Sequence, residues 1–104
     1  MTTRVAPGNR RAAIFIDTTF HGLNYTVSYG LFPGRRAVSE IFISCEKNTS
    51  AQEAVARDAA ILISQALQYG TPFDVIHLAV TRAEDGSAAS IVGHALDLVA
   101  AEIV

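Results

Sequence analysis

The longest regular pattern of apolar and polar positions lies between residues 50 and 72. Apolar side chains recur there at steps of three and four residues, the spacing that gathers them on one side of an α-helix. The stripe comprises Val55, Ala59, Leu62, Ala66 and Tyr69, and the other side carries Glu53, Arg57, Ser64 and Gln68. This pattern predicts a helix that buries its apolar stripe. In that orientation Leu62→Ala costs about 2–5 kcal/mol, and Gln68→Ala costs less than about 0.5 kcal/mol.

Both ends of this helix are marked in the sequence. Ser50 and Glu53 have the spacing of a capping box, in which the two side chains satisfy exposed N–H groups of the first turn. Gly70 can adopt the left-handed conformation that closes a helix, and Pro72 cannot continue one. We therefore expect the helix to begin at Ser50 and to end at Gly70.

The apolar positions before the helix follow a period of two, which is typical of half-buried β-strands. His21-Gly22 and Pro33-Gly34 supply turns between the apolar runs. Short turns between successive strands predict an antiparallel meander. Its three strands are expected over residues 11–20, 24–31 and 38–45.

Two further helices are expected after the long one. Thr71 is suited to cap the first of them, with Pro72 at its first position. A strand over residues 74–80 is the alternative, because that apolar run has strand length, and we prefer the helix. Ser87 can cap the last helix, in which Gly93 permits close packing. The apolar stripe of that helix is Val92, Leu96, Val99 and Ile103.

The predicted elements describe one α+β domain over residues 11–104, preceded by a flexible N-terminal arm over residues 1–10. Its architecture is a three-stranded antiparallel sheet packed against two or three helices in two layers. So small a sheet leaves a face or an edge open. We therefore expect the chain to form a homodimer or to dock onto a larger protein subunit.

Composition narrows the possible partners. The 104 residues include 8 Lys and Arg against 10 Asp and Glu, which gives a net charge of −2. We therefore expect no direct nucleic-acid binding, which requires a positively charged surface. No apolar run approaches the length of a membrane span, and no signal peptide is apparent. A single cysteine, Cys45, can form no internal disulfide, and no cysteine–histidine cluster has metal-ligand spacing. We expect a cytoplasmic protein without a metal site.

Candidate chemistry is sparse. His21 could serve as a base or bind an anion, or it could be a turn residue that packs its ring at a strand end. Arg35 and Arg36 could hold a phosphate through charge-assisted hydrogen bonds, and with His21 they are the predicted ligand-binding residues. Cys45 is either a buried thiol or a nucleophile near the start of the helix. No catalytic constellation or phosphate-loop motif is present, so no catalytic residue is assigned.

Asp17 and Glu40 are a further candidate, because they could face each other across neighbouring strands as a carboxylate pair. They could equally be surface carboxylates on an open face of the sheet.

Two strings of the sequence carry a family resemblance. LNYTVSYGLFPGRRAVSEIFIS and ILISQALQYGTP resemble the C-terminal region of vitamin B12-dependent (class II) ribonucleotide reductases, the module called the TSCPD domain. The matching positions are Gly22, Tyr25-Thr26-Val27, Pro33-Gly34, Glu40-Ile41-Phe42-Ile43, Ala66-Leu67-Gln68-Tyr69-Gly70, Pro72 and Thr81-Arg82. The resemblance covers roughly residues 5–100, although the Thr-Ser-Cys-Pro-Asp string and the cysteine-rich tail of the family are absent.

The resemblance implies a stand-alone TSCPD-type module, non-catalytic alone, with an accessory or binding role in deoxyribonucleotide synthesis. The related enzymes use adenosylcobalamin and a cysteine radical in a large barrel domain that this chain is too short to contain, so no cofactor is expected in this chain. The alternatives are a small nucleotide- or phosphate-binding protein and a homodimeric interaction module. A small enzyme that uses His21 or Cys45 is a further hypothesis.

Overall fold

The computed structural model describes residues 13–46 and 51–103, which form an antiparallel sheet and three helices. The predicted α+β class is confirmed, and the predicted arm over residues 1–10 lies outside the described residues. The elements in chain order are β1 (Ala13–Phe20), β2 (Leu23–Leu31), β3 (Val38–Cys45), α1 (Ala51–Gln68), α2 (Phe73–Ala79) and α3 (Ile91–Ile103).

A two-residue turn joins β1 to β2. His21 and Gly22 occupy its centre with φ values of 48° and 80°. Positive φ at both central residues is the signature of a type I′ turn, whose twist matches that of the flanking strands. Phe20 consequently lies opposite Leu23, and the antiparallel register runs unbroken from there to Ala13 opposite Gly30.

The meander follows the order β1-β2-β3. Tyr29 lies opposite Ile14 on one side and Ile41 on the other, and Val27 likewise lies between Ile16 and Ile43. Alternation along each strand turns these residues toward the helices. Val27 and Ile41 are fully buried in one core cluster that also includes residues of α1 and α3. The opposite face is the open side of the sheet.

Helix α1 lies along the outer edge of β3 and is held there by polar side chains. The Ser64 hydroxyl accepts the N–H of Ile41 at 2.9 Å and donates to the carbonyl oxygen of the same residue at 3.0 Å. Gln68 donates to the carbonyl oxygen of Ser39 at 3.0 Å. An edge strand otherwise presents unpaired backbone groups, and α1 satisfies them here.

The predicted orientation of α1 is therefore wrong. Leu62 and Val55 of the expected buried stripe are 68% and 67% exposed. The buried side of the helix comprises Glu53, Ala56, Ala60, Ser64, Leu67 and Gln68. The strand edge requires hydrogen-bond partners and a close approach, which the serine, glutamine and alanine side chains on this side provide. Buried Glu53 is in turn ion-paired with Arg57 on the next turn.

The predicted end of α1 is confirmed. Gly70 has a φ of 108°. The N–H of Gly70 donates to Leu67 and that of Thr71 donates to Ala66, at 3.1 and 3.0 Å. This pair of bonds is a Schellman motif, which occupies the last carbonyl groups of the helix. The capping role expected for Ser50 lies outside the described residues.

Residues 73–79 form a helix, as we preferred, but its cap is Pro72 rather than Thr71. The last helix also begins later than predicted. Ser90 caps it by accepting the N–H of Gly93 at 3.2 Å, whereas Ser87 binds Asp85 within the preceding turn. A Cβ atom at Gly93 would lie 3.2 Å from the Ala88 Cβ. The close packing expected at Gly93 is therefore present.

Candidate binding cleft

Arg35 and Arg36 line a cleft of about 490 Å³ at the end of the sheet where β2 passes into β3. The loop between those strands forms one wall. The other wall is the end of α1 and the start of α2, including Tyr69 and Phe73. We call this space the arginine cleft. It brings together the Pro33-Gly34 turn and the end of α1, two segments of the sequence that carry the family resemblance.

A tight turn positions the first arginine. The N–H of Arg35 donates to the carbonyl oxygen of Phe32 at 3.1 Å. Gly34 has a φ of 72°, so the turn is type II, with Pro33 and Gly34 in the positions that favour proline and glycine. The Arg35 guanidinium then lies over the Phe32 ring, 4.6 Å from its centroid. The attraction between the cation and the ring holds the guanidinium against Phe32.

The second arginine joins the loop to the end of α3. Arg36 donates to the carbonyl oxygen of Ile103 at 3.0 Å. Nearby, the Tyr29 hydroxyl donates to Glu102 at 2.9 Å. Burial raises the pKa of Tyr29, the hydrogen bond to Glu102 and the charge of Glu102 raise it further, and the positive charge of Arg36 opposes them. The tyrosine therefore stays protonated, and Arg36 stabilises the C-terminal helix.

The electrostatic character of the arginine cleft is weakly positive. Among the described residues, Arg35 and Arg36 contribute two positive charges to its lining and Asp74 contributes one negative charge. The Asp74 carboxylate accepts the N–H of Val75 at 3.1 Å. Tyr69 is 47% exposed and offers a ring surface beside the arginines. Guanidinium groups bind phosphate, and aromatic rings stack on nucleobases.

His21 does not belong to this cleft. It lies at the opposite end of β2, since the strand Leu23–Leu31 separates the two turns. The structure therefore does not bring His21 together with the two arginines. His21 stacks on Phe20 with centroids 4.1 Å apart. It lines a separate cavity of about 510 Å³, which also contains the starts of α1 and α3.

His94 connects α3 to β1 and contacts the same aromatic ring, that of Phe20. Its Nε2 lies 2.8 Å from the hydroxyl oxygen of Thr18, and its ring lies 5.1 Å from that of Phe20. His21 and His94 thus both contact the Phe20 ring. The sequence did not predict that they are close, because the contact arises from the packing of the last helix against the first strand.

A second polar cluster, which we did not predict, joins α2 to α3. Arg82 binds both carboxylate oxygens of Asp97 at 2.7 Å, and His77 Nε2 lies 2.6 Å from the same carboxylate. The Arg82 hydrogen bonds are the largest cause that lowers the pKa of Asp97, to about 2, with a further contribution from His77 and an opposing effect of burial. Periodicity within a helix could not predict this contact, because His77 lies on α2 and Asp97 lies on α3.

The remaining candidates stay apart. Cys45 is buried at the end of β3 as a free thiol. Asp17 lies opposite Thr26, and Glu40 lies opposite Gly30 on the far side of β2, so they form no carboxylate pair. Within residues 13–46 and 51–103, no group of three potential metal ligands occurs. No helix among those residues is long and apolar enough to cross a membrane.

Comparisons with protein-family models, with curated proteins and with solved structures find no match to this chain.

Proposed function

We propose that this chain is a non-catalytic binding module that takes a nucleotide in the arginine cleft and serves ribonucleotide reduction in the cytoplasm. The observation that carries the ligand class is the position of Arg35, whose guanidinium lies over the Phe32 ring in a cleft that is also lined by Arg36 and Tyr69. The resemblance to the TSCPD domain supports the link to deoxyribonucleotide synthesis. The single buried thiol of Cys45 is in keeping with a reducing compartment.

The chemistry of the arginine cleft favours a ligand with both a charged and an aromatic part. The guanidinium of Arg35 makes no hydrogen bond or ion pair with any other described residue, so its N–H groups can bind phosphate oxygens. The rings of Tyr69 and Phe73 lie within the same cleft and supply a surface for a base. Neither inorganic phosphate nor a nucleoside alone uses both features, whereas a nucleotide does.

The proposal assigns no catalytic role to this module. Among the described residues that line the arginine cleft, no nucleophile is hydrogen-bonded to a base. Outside the arginine cleft, His77 and Asp97 form a histidine–carboxylate pair. Arg82 already binds both oxygens of that carboxylate. A carboxylate bound in this way connects α2 to α3 and has a structural role.

Isothermal titration calorimetry with ADP, ATP, adenosine and inorganic phosphate tests the ligand class. ADP or ATP should bind more tightly than either partial ligand. Hydrogen bonds to charged groups contribute about 1.5–3 kcal/mol, so Arg35→Gln should weaken binding by about ten- to a hundredfold. Absence of heat and of any shift in melting temperature with both nucleotides would remove the proposal.

Two further variants sharpen the test. Arg57→Gln removes the same charge from α1, where the side chain is 54% exposed and outside the arginine cleft, and it should leave affinity unchanged. Arg35→Lys keeps the charge but loses the planar guanidinium and its stacking on Phe32, and it should also weaken binding. Equal effects of Arg35→Gln and Arg57→Gln would mean that net charge, and not the cleft, governs the interaction.

The link to ribonucleotide reduction requires its own test. Affinity capture from the native cell with the full chain as bait should recover a ribonucleotide reductase subunit or another protein of nucleotide metabolism. Recovery of neither, from a cell in which the reductase is expressed, would contradict this part of the proposal and leave the titration result standing.

A further inference from the structure

The two edges of the sheet are treated differently by the fold. Helix α1 satisfies the outer edge of β3 through Ser64 and Gln68. Among the described residues, no strand pairs with the outer edge of β1. This strand is eight residues long, and Asp17 is its only charged residue. It has no proline or lysine, the residues with which proteins commonly prevent edge pairing.

The hairpin turn determines which backbone groups of β1 face outward. In a two-residue hairpin, Phe20 and Leu23 form a hydrogen-bonded pair, and such pairs alternate along the ladder. The backbone groups of Ile14 and Ile16 therefore bond to β2. Phe15, and every second residue before and after it, directs its N–H and C=O groups away from β2.

The contact between α1 and β3 supports the same assignment independently. Ser64 takes up both backbone groups of Ile41, so those groups point away from β2. Tyr29, opposite Ile41, must then bond toward β1, where its partner is Ile14. The outward-facing residues of β1 are thus Ala13, Phe15, Asp17 and Thr19.

The same strand carries exposed apolar side chains on both faces of the sheet. Phe15 is 69% exposed on the open face, and Ile14 is 42% exposed on the helix face. Outward-facing backbone groups that pair with no described strand, combined with exposed apolar side chains, suit the addition of another strand. Because the side chains of an added strand also alternate between the two faces of the sheet, one strand could cover both Phe15 and Ile14.

We propose that a second copy of this chain pairs antiparallel with β1, so that two sheets join across a twofold axis at Phe15. In this register Phe15 lies opposite Phe15 of the second copy, and each Ile14 lies opposite an Ile16. Asp17 lies opposite Ala13. The interface is isologous, as a closed dimer requires. Between Ala13 and Asp17, each directly opposed pair is aromatic with aromatic, aliphatic with aliphatic, or Asp17 with alanine.

The position of Asp17 favours this register over the two registers whose axis is shifted toward Asp17. A shift of the axis to Asp17 would place two carboxylates directly opposite each other, which is destabilising. A shift to Ile16 would place each Asp17 opposite an exposed Phe15. Of these three registers, only the one with its axis at Phe15 places the two Phe15 side chains opposite each other. It also keeps Asp17, which accepts a hydrogen bond from Thr26 at 3.0 Å, from lying opposite a carboxylate or an aromatic ring.

Molar mass by light scattering and sedimentation equilibrium tests the interface. The wild-type chain should give twice its monomer mass of 11.1 kDa. Phe15→Lys should give the monomer mass, because two ammonium groups would meet across the axis, with an unchanged circular dichroism spectrum. Phe42→Lys is the matched control. Phe42 is 50% exposed on the same face but lies on β3, so this variant should remain dimeric.

Single-cysteine variants in a Cys45→Ala background test the register. Opposed residues of a hydrogen-bonded pair have Cα atoms about 5.5 Å apart, within the reach of a disulfide. Mild oxidation should therefore link Phe15→Cys chains and should not link Asp17→Cys chains, which lie opposite Ala13. The reverse result would overturn the register. A wild-type monomer at every concentration up to millimolar, or dissociation by Phe42→Lys but not by Phe15→Lys, would overturn the interface itself.

Discussion

Ser64→Ala tests the most unexpected feature of the fold, the polar contact between α1 and the edge of β3. Ser64 is 9% exposed, and its hydroxyl is the partner of both the N–H and the carbonyl oxygen of Ile41. Alanine fits the same space and favours the helix. The substitution therefore removes two hydrogen bonds without creating a large cavity or a steric clash.

The expected loss of stability in Ser64→Ala depends on the two backbone groups of Ile41 that lose their partner. A buried backbone group without a partner costs about 1–3 kcal/mol, and this variant creates two of them. The higher helix propensity of alanine offsets up to about 0.5 kcal/mol. A carbonyl oxygen that keeps some interaction through its second lone pair loses less than an N–H. We therefore expect the free energy of unfolding to fall by about 1.5–4 kcal/mol, summed from these contributions.

Urea unfolding followed by circular dichroism measures this difference, with Gln65→Ala on the exposed side of the same helix as the control. Gln65→Ala should change stability by less than about 0.5 kcal/mol. Hydrogen exchange should show faster exchange of the Ile41 amide in Ser64→Ala. A loss below about 0.5 kcal/mol in Ser64→Ala, with the Ile41 amide still protected, would refute the edge contact and restore the orientation predicted from the apolar stripe.

The orientation of α1 also predicts a difference between two leucines: Leu67→Ala should cost about 2–5 kcal/mol as a core truncation, and Leu62→Ala, at 68% exposure, less than about 0.5 kcal/mol. Equal costs in urea unfolding would contradict it. The Asp97 cluster predicts a pH dependence. The folded pKa, about 2, lies below the ordinary 3.8, so its stabilising contribution is present above pH 3.8 and is lost as pH falls toward 2. Asp97→Asn should remove this part of the acid-dependent loss of stability, and an unchanged pH profile would contradict the ion pair with Arg82.

The sequence alone determined the elements and the fold class. The period of two in residues 13–45, the His21-Gly22 turn and the glycine that ends α1 are local features. They depend on backbone conformations that few residues adopt and on the alternation of side chains along a strand. Such signals lie within a few residues of one another, so no knowledge of distant contacts is needed to interpret them.

The candidate site was predicted only in part. Arg35 and Arg36 were identified from their charge, and the turn that positions them from Pro33-Gly34. The aromatic wall formed by Tyr69 and Phe73 was not predicted, because it is more than thirty residues away along the chain. His21 was grouped with the arginines by residue type, and only the length of β2 shows that the two turns lie at opposite ends of the sheet.

Tertiary structure alone decided which side of α1 is buried. Apolar periodicity chose the side of Leu62, because apolar side chains leave water most favourably. The edge of β3 reversed this choice, since a strand edge presents backbone groups that must be hydrogen-bonded when buried, and Ser64 and Gln68 bond to them. The sequence recorded which residues share a side of the helix, whereas the unpaired backbone of a distant strand determined which side faces inward.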